Sequence, residues 1–329
     1  MTRTAHVDRL LTDLAVGYVR QNPSAARLAL GDPYRVKRTS DRYFVWSRDD
    51  FLRDDMALTG PGVEAPLWVP RGSTGTYQID PYKLATLIVW EERDNADDPA
   101  GFERGKIAGL MSKARYREDA LFAGRAMLNT SWAASNRLVG VSASPSTGEF
   151  LSFIQSGSDP IGIIERGRDT VRTQTGGRAA NVLVVSADVD RTLRVHSQIQ
   201  SKINSAISAS GQLTGAARRE QMAGILGVDR YVVIDVSRAT NIEGAATAVS
   251  DLSTGQMCLM YVDPSATSDG ASAQAMRFFE LSGEAYPGVG SVRRWTDDAK
   301  AADVIEVQTA VDFRVVGDVA GVHFASCLA

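Results

Sequence analysis

The sequence of 329 residues has few of the side chains from which metal sites and covalent catalysts are usually built. It contains two cysteines, Cys258 and Cys327, and three histidines, His6, His196 and His323. The cysteines are far apart and form no C-x-x-C motif, so they cannot make a zinc site by themselves, and we expect both to be buried free thiols. A histidine site would have to bring three distant segments together. We therefore expect no metal ion and no cofactor.

The sequence also lacks a long apolar run and an excess of one charge. No apolar stretch approaches the roughly 20 residues that span a bilayer. Residues 1–19 place their apolar side chains at helical spacing with Asp8 and Asp13 between them, whereas a signal peptide has an unbroken apolar stretch. The 36 basic and 39 acidic side chains give a net charge of −3, which offers nucleic acid no bulk attraction. We expect a protein made in a cytoplasm, without a membrane partner.

One short motif resembles a catalytic one. Residues 182–193, VLVVSADVDRTL, join an apolar run to an Asp-x-Asp-x-Thr pattern that ends at Thr192. Phosphatases of the haloacid-dehalogenase type begin in this way, with a nucleophilic aspartate and an acid/base aspartate two residues later, here Asp188 and Asp190. Other common signatures, G-x-S-x-G, the Walker loop and G-x-G-x-x-G, are absent from the sequence. A phosphatase is thus one alternative function.

The surroundings of this motif favour a structural interpretation. In the phosphatase family the first aspartate follows the strand directly, but Ser186 and Ala187 intervene here. The lysine and the acidic pair that the family also needs would have to be Lys202 and residues 297–298, and neither follows a predicted buried strand. We interpret Ser186 as the cap of a helix whose positive first turn carries the two aspartates. We expect no catalytic residues.

Residues 40–90 have the composition of strands. Two segments rich in aromatic and β-branched residues, 41–52 and 76–90, flank a stretch rich in glycine and proline. This pattern predicts a long two-stranded excursion with a broad, irregular tip. Because an isolated hairpin is only marginally stable in water, we expect this one to gain order from a partner.

The clearest predicted helix follows the hairpin. Asp98 is its expected N-cap and Pro99 its first residue. About 30 residues at 1.5 Å each give a length of roughly 45 Å. A helix of this length with a narrow apolar stripe suits a brace across a sheet better than the centre of a compact core. The stripe consists of Ile107, Leu110, Met111, Ala114, Leu121 and Leu128.

After this helix the sequence alternates between predicted helices and buried strands. One helix has its N-cap at Ser158 or Asp159 and ends at a glycine pair. A buried strand at 182–186 and a helix over 187–203 follow, and a further helix and strand come after them. The last segment, 304–316, alternates apolar and polar residues, which predicts a long antiparallel strand with one face in solvent.

The order of these elements resembles that of one protein family. A helical N-terminal segment, a long hairpin, a long helix, an inserted α/β lobe and a return to long antiparallel strands are similar to the major capsid protein of tailed bacteriophages, the HK97 fold. The resemblance covers nearly the whole chain, and the order and spacing of several segments carry it rather than a single motif. These segments are LLTDLAVGYVRQNPSAARLALGDPYRVKRTSDRYFVW, IVWEERDNADDPAGFERGKIAGLM, SDPIGIIERGRDTVRTQTGGRAANVLVVSADVDRTLRVHSQI and AGILGVDRYVVIDV.

The resemblance implies an α+β fold with four parts. These are an N-terminal arm at 1–39, an extended β-hairpin loop at 40–83, a peripheral domain that combines 84–157 with 286–329 and contains the long spine helix, and an axial α/β domain at 158–285. The arm and the loop are expected to lie across neighbouring subunits, where strand pairing and apolar burial stabilise the contact.

The same resemblance implies a function. The chain is expected to assemble with copies of itself, as hexamers and pentamers, into an icosahedral phage head that encloses double-stranded DNA and contacts that DNA only weakly and non-specifically. It further implies assembly in the host cytoplasm, a place in the virion, and a portal, a decoration protein and a separate scaffolding protein as partners. Some relatives carry a scaffolding segment before the arm, and we expect none here. The nearest alternative is an encapsulin, a cellular shell of the same fold that holds cargo enzyme.

Contacts between subunits are expected from two parts of the chain. The arm offers apolar side chains, and the loop offers charged side chains and a tryptophan. No lysine lies between Arg38 and Tyr82, so the Lys–Asn cross-link that some relatives form has no amine on the loop, and we expect a shell without covalent links between chains. The expected interface residues are Leu10, Leu11, Leu14, Asp49, Asp50, Arg53, Asp54, Asp55 and Trp68.

Overall fold

The fold mixes helices and strands along the whole chain, as predicted. The computed structural model describes residues 6–7, 11, 15, 17–18, 23–46, 49, 52–60, 62, 64–69, 71–202, 221–241, 248–263, 274–282 and 291–329. The helices named below are α1 (Ala25–Leu30), α2 (Trp90–Asp94), α3 (Pro99–Ala126), α4 (Pro160–Gln174) and α5 (Ala187–Val195), and residues 197–202 and 221–225 are also helical. The strands are β1 (His6–Val7), β2 (Tyr34–Val36), β3 (Ser40–Trp46), β4 (Gly72–Gln78), β5 (Pro81–Val89), β6 (Arg137–Val141), β7 (Glu149–Leu151), β8 (Val182–Ser186), β9 (Arg230–Ile234), β10 (Ser237–Ala239), β11 (Val249–Asp251), β12 (Met257–Met260), β13 (Met276–Leu281), β14 (Ser291–Asp297), β15 (Ala302–Val315) and β16 (Gly321–Ala325).

The first of two large sheets is built around the long strand β15. Two strands, β13 and β14, pair antiparallel with successive segments of β15, so that Met276 lies opposite Val315 and Ser291 lies opposite Gln308. Strand β5 pairs with β15 along residues 302–310. Strands β1 and β2 pair with β14 and β13. The described N-terminal strands therefore belong to the first sheet of their own chain.

Helix α3, the predicted spine helix, lies across this sheet. Asp98 is its N-cap and accepts a hydrogen bond of 3.0 Å from the amide of Gly101, and Pro99 is its first residue, so the predicted start is confirmed. Its 28 residues correspond to about 42 Å. Leu128 lies beyond the end of the helix and is exposed, so it is not part of the stripe. A buried cluster joins the helix to the sheet and to the N-terminal segment: Leu11, Ala15, Ile88, Ile107, Leu110, Met111, Val292, Ile305 and Val307.

The second sheet has the strand order β7-β6-β16-β12-β8-β9. Strand β12 is antiparallel to β8 and β16, and the other pairs are parallel. Strands β8 and β12 are buried along their whole length, because helices cover both faces of the sheet. Side chains of α4 and α5 pack on one face, and side chains of α1 and of the last turns of α3 pack on the other face and on the first sheet.

The strands are divided between the sheets differently from the predicted domain boundaries. Strands β6, β7 and β16, expected in the peripheral domain, lie in the second sheet, whereas β13, expected in the axial domain, pairs with β15 in the first sheet. The apolar side chains explain this arrangement, because Val322 and Phe324 of β16 belong to the cluster under α4. Boundaries at residues 158 and 286 therefore cut across both sheets.

Strand β15 does not have the solvent-exposed face that its alternating sequence predicts. Gln308 of the polar face is buried. Its side-chain amide donates a hydrogen bond of 2.6 Å to Glu306, and Arg314 donates one of 2.7 Å to Asp312. The polar face is covered and internally paired, which the alternation alone cannot distinguish from a solvated face.

Strands β3 and β4 form the predicted two-stranded excursion and pair with each other from Ser40 opposite Gln78 to Trp46 opposite Gly72. An aromatic cluster fixes the base of this hairpin to the first sheet. The ring of Tyr77 stacks on Phe279 of β13 with 4.7 Å between ring centroids, and the ring of Tyr43 lies 5.6 Å from the same phenylalanine. The hairpin therefore projects from a firmly held base.

Candidate assembly surfaces

The connection between β3 and β4 presents apolar side chains to solvent. Met56, Leu58 and Leu67 are almost fully exposed, and Val69 is 71% exposed. Burying a side chain of this size contributes roughly 1.5–3 kcal/mol, and large exposed apolar patches mark interaction sites. The described part of this loop therefore has the character of a surface that requires a partner.

Three predicted interface residues of the loop lie around one groove. Arg53, Asp55 and Trp68 line this groove, which has a volume of about 450 Å³. Within the described part of the loop, no ion pair joins Arg53 to Asp54 or Asp55, so these charges remain available for contacts with a partner. The groove is completed by Met56, Ala57, Thr59, Ala65 and Pro66.

The remaining predicted interface residues of the loop and arm divide into two groups. Asp49 and Asp54 are exposed, and Asp54 accepts a hydrogen bond of 3.3 Å from the amide two residues later. Leu10, Leu14 and Asp50 lie outside the described residues. The exposed aspartates make the loop acidic on the side that follows β3.

Leu11 of the predicted arm packs inside its own chain. Its side chain is 5% exposed and belongs to the cluster that includes Ile107 of α3 and Ile305 of β15. The helical spacing of the arm predicts that its apolar face is covered by the same chain or by a neighbour, and the structure shows that its own spine helix covers it. Leu11 therefore presents no side chain to a neighbour in this conformation.

Helix α1, also within the predicted arm, is held on α3 by buried polar contacts. Ser24, the N-cap of α1, donates a hydrogen bond to Glu118. The amide of Ala25 donates a hydrogen bond of 2.7 Å to Asp119. The Nε atom of Arg27 lies 3.1 Å from Glu118. These contacts fasten the end of the arm to the C-terminal half of the spine helix.

Burial changes the ionisation of this carboxylate pair. Desolvation raises the pKa of Asp119 to about 7, although hydrogen bonds from backbone amides and the charge of Arg115 oppose the increase. Desolvation also raises the pKa of Glu118, against the opposing effect of Arg27. Glu280 of β13 lies 3.5 Å from the same arginine. Arg27 is thus the cationic partner of two buried carboxylates, those of Glu118 and Glu280.

The burial of this carboxylate pair could have been recognised from the sequence, although it was not predicted. Glu118 lies seven residues after Met111 and eleven after Ile107, which places it on the apolar stripe of the helix. A charged residue on such a stripe requires a buried partner. The partner, Arg27, is 91 residues away in sequence, so its identity depends on the tertiary structure.

Asp188 of the phosphatase-like motif has structural partners. Its carboxylate accepts a hydrogen bond of 2.6 Å from the amide of Gly255 and another from the hydroxyl of Ser186. Ser186 is the N-cap residue of α5, as predicted, but its hydroxyl bonds to Asp188 instead of an amide of the first turn. The carboxylate thereby joins the start of α5 to the turn before β12.

Asp190 also has structural partners. Its side chain is buried, accepts a hydrogen bond of 2.8 Å from the hydroxyl of Tyr231 and lies 2.9 Å from Arg194 in an ion pair. Both aspartates of the motif therefore hold α5 against its surroundings, which agrees with the structural interpretation of the motif.

A serine and a histidine are in contact at the end of α5. The Oγ atom of Ser158 lies 2.9 Å from Nε2 of His196, whose Nδ1 accepts a hydrogen bond of 3.3 Å from the amide of Gln198. In the tautomer that this contact favours, Nε2 carries the ring proton and donates it to Ser158, whose hydroxyl donates a hydrogen bond of 3.4 Å to the carbonyl of Phe153. Helix α5 ends at Val195, which corrects the uninterrupted helix predicted over 187–203.

The cysteines are buried free thiols, as predicted, and burial raises the pKa of both Cys258 and Cys327. Among the residues described above, no three His, Cys, Asp or Glu side chains come together as metal ligands would. Within the same ranges no helix has the length and apolar character needed to cross a membrane.

Comparison with known proteins relates this architecture to phage capsids. No family model matches the sequence. The chain is similar to the major capsid protein of Burkholderia phage BcepMu, with 25% identity over 253 residues that cover 73% of this chain and 74% of that protein. Its structure is similar to that of a phage-related protein from Bordetella bronchiseptica RB50, with a TM-score of 0.72, 16% identity and 100% of both chains covered. It is also similar to the capsid of Ralstonia phage GP4, with a TM-score of 0.54, 15% identity, and 89% of this chain and 84% of that chain covered. The chain therefore has the HK97-type fold of tailed-phage major capsid proteins and is similar in sequence to a phage major capsid protein.

Proposed function

We propose that this chain is the major capsid protein of a tailed phage and assembles with copies of itself into the icosahedral head that encloses the double-stranded DNA genome. The observation that carries this proposal is the loop between β3 and β4. Its apolar side chains are exposed, yet its base is fixed by Tyr43, Tyr77 and Phe279. A loop with a fixed base presents its apolar surface in a defined position and is therefore suited to bind a partner. A second copy of the chain is always present to act as that partner.

The hairpin can contribute to assembly in two ways. Burial of Met56, Leu58 and Leu67 against a neighbour would contribute roughly 1.5–3 kcal/mol each. In addition, β3 and β4 pair only with each other among the described strands, so their outer edges offer backbone groups for strand addition. Both contributions are repeated at every subunit contact of a shell.

In this proposal the parts of the chain have separate roles. The loop at 40–83 lies over a neighbouring subunit, the first sheet with α3 forms the peripheral part, and the second sheet forms the axial part of hexamers and pentamers. The role is structural and non-enzymatic. The protein acts in the virion after assembly in the host cytoplasm, with a portal, a separate scaffolding protein and a decoration protein as partners.

Electron microscopy of paired variants tests this function. The double variant Leu58→Asp with Leu67→Asp places charges on the exposed loop. A matched control, Val195→Asp with Val249→Asp, places charges on two apolar side chains that are 71% and 65% exposed elsewhere on the chain. We expect shells or ring-shaped capsomers from the wild type and the control, and only unassembled subunits from the loop variant.

Two results would contradict the proposal. Normal shells from the loop variant would show that its apolar residues do not drive assembly. Shells that contain a cargo enzyme and no DNA when produced during infection would favour the encapsulin alternative, which uses the same fold.

A further inference from the structure

The charges of the spine helix α3 are distributed unevenly between its buried and exposed faces. All three of its acidic side chains point towards the protein. Glu118 and Asp119 are buried, and Glu103 lies 3.3 Å from Arg294 of β14 in an ion pair. Every exposed charged side chain of the helix is basic: Arg104, Lys113, Arg117 and Arg125.

This face is positive although the chain as a whole is not. The net charge of the protein is −3, so a solvent-facing helix with randomly mixed charges would expose acidic residues as well. Within the described part of the chain, none of these four cations is in an ion pair. Their charge is therefore available to an anionic partner.

The cations lie along the helix at spacings that suit a charged polymer. Lys106, Lys113 and Arg117 are seven and four residues apart, which places them along one line on the helix surface. This line is about 16 Å long, and each strand of a DNA duplex offers one phosphate per about 3.4 Å of its axis. Arg104 and Arg125 are exposed near the two ends of the helix but lie off this line, about 180° and 120° around the helix axis from Lys113.

Two of these side chains are held in place by aromatic rings. The guanidinium of Arg117 lies 4.2 Å from the ring centroid of Tyr82, and the ammonium of Lys106 lies 5.1 Å from the ring of Phe102. Lys106 also lies 4.0 Å from Glu92, at the limit of an ion pair. Ordered cations lose less conformational entropy when they bind phosphates.

The same face offers little surface for a protein partner. Protein interfaces have an apolar or aromatic centre, but the side chains of Ile107, Leu110 and Met111 point into the core, and the nearby rings of Phe102 and Tyr116 are partly buried. Between the exposed cations lie small residues: Gly105, Gly109, Ser112 and Gly124. Small residues and cations allow a phosphate backbone to approach closely and provide little surface for apolar burial.

We propose that the exposed face of α3 lies against the packaged duplex DNA, and that Lys113 and Arg117, flanked by Lys106, contact its phosphates. This inference rests on the proposed function and adds the surface that faces the genome. The contact reads no base sequence, because contacts to phosphates carry no sequence information. It is weak for one subunit, since few phosphates are involved, and it is repeated across the shell.

The salt dependence of DNA binding tests this proposal. Unassembled subunits are titrated against a fluorescent duplex over a series of salt concentrations. The variant Lys113→Gln with Arg117→Gln should reduce the slope of log affinity against log salt by about 1.8, because each lost phosphate contact accounts for about 0.9. The control variant, Arg166→Gln with Arg191→Gln, removes two exposed charges from α4 and α5 and should keep the wild-type slope. The exchange of Lys113→Arg with Arg117→Lys should also keep it.

Each alternative outcome has a definite meaning. An unchanged slope in the Lys113 and Arg117 variant, or an equal loss in the control, overturns the proposal. A parallel titration with poly-glutamate covers an acidic protein partner: if the variant loses poly-glutamate binding but keeps DNA binding, the face serves a protein and the proposal is overturned. Electron microscopy separates this inference from the proposed function, because the variant should still form shells, whereas a wild-type chain that forms no shell contradicts the function itself.

Discussion

The backbone amide of Ala25 donates a hydrogen bond of 2.7 Å to the buried carboxylate of Asp119, across 94 residues of sequence. This contact joins helix α1 to the C-terminal half of the spine helix α3. Together with Ser24 and Arg27, which contact Glu118, it makes the end of the predicted arm a part of the subunit core. We therefore expect the stability of the subunit to depend on ionisation at this site.

Replacement of Asp119 by asparagine should change how stability depends on pH. The folded chain holds the proton of Asp119 up to a pKa of about 7, against 3.8 for an unperturbed aspartate. The stabilisation that protonated Asp119 gives to the folded chain is therefore fully present below pH 3.8 and is lost as pH rises to about 7. Asp119→Asn should gain stability relative to the wild type over this interval, by on the order of a few kcal/mol.

Denaturant unfolding of unassembled subunits between pH 4 and pH 8 measures this difference. The control is Asp169→Asn, which alters an exposed ion pair with Arg172 and should give a difference that is nearly independent of pH. A wild-type advantage that grows from pH 4 to pH 7 would contradict the assigned ionisation of Asp119.

Removal of Arg27 should destabilise the subunit strongly. Arg27→Ala leaves Glu118 and Glu280 without their shared cation, and breaking a buried ion pair from one side costs about 3–5 kcal/mol. On the same helix, Leu28 is 49% exposed, so Leu28→Ala should change the free energy of unfolding by less than about 1 kcal/mol. Equal unfolding midpoints for the two variants would refute the anchoring role of Arg27.

Two glycines should respond to alanine in opposite ways. A Cβ atom at Gly321 would lie 2.2 Å from the ring of the fully buried Trp132, whereas one at Gly109 of α3 would meet no atom within 4 Å. Gly321→Ala should therefore destabilise the fold by about 1–3 kcal/mol through overpacking. Gly109→Ala should stabilise it by about 0.5–1 kcal/mol, because alanine favours a helix interior. Thermal unfolding measures both changes. A Gly321→Ala variant as stable as the wild type would show that the ring of Trp132 does not pack against Gly321.

Assembled particles should contain no covalent links between chains. The loop has no lysine between Arg38 and Tyr82 and so supplies no amine for an isopeptide, and both cysteines are buried, so no thiol is exposed for a disulfide. Boiled particles on a denaturing gel should give a single band at the chain mass of 35.4 kDa. A ladder of heavier bands that resists reductant would be inconsistent with this expectation.

Local features of the sequence predicted local structure well. Asp98 and Asp159 are the N-caps of α3 and α4, and each precedes a proline at the first helical position. Capping and proline geometry depend on neighbouring residues alone, so they can be identified without knowledge of the fold. The two-stranded hairpin was predictable for the same reason, since glycine and proline separate its strands.

Features that depend on distant segments were not predictable. Short apolar strands such as β6, β13 and β16 fit either sheet, and only the packing of the whole chain assigns them. The alternation in β15 predicts two faces but not that Glu306 and Asp312 are paired with Gln308 and Arg314 rather than solvated. Of the predicted interface residues, Leu11 is covered by its own spine helix, whereas Arg53, Asp55 and Trp68 share one exposed groove.

The mass of the particles that the wild-type chain forms tests the central claim most directly. Sedimentation velocity over a range of protein concentrations, salt concentrations and pH values distinguishes a subunit from its assemblies. We predict species many times heavier than the 35.4 kDa chain, which appear as capsomers or closed shells in the electron microscope. A compact monomer of 35.4 kDa under every one of these conditions would contradict the assignment of this chain as a shell-forming protein.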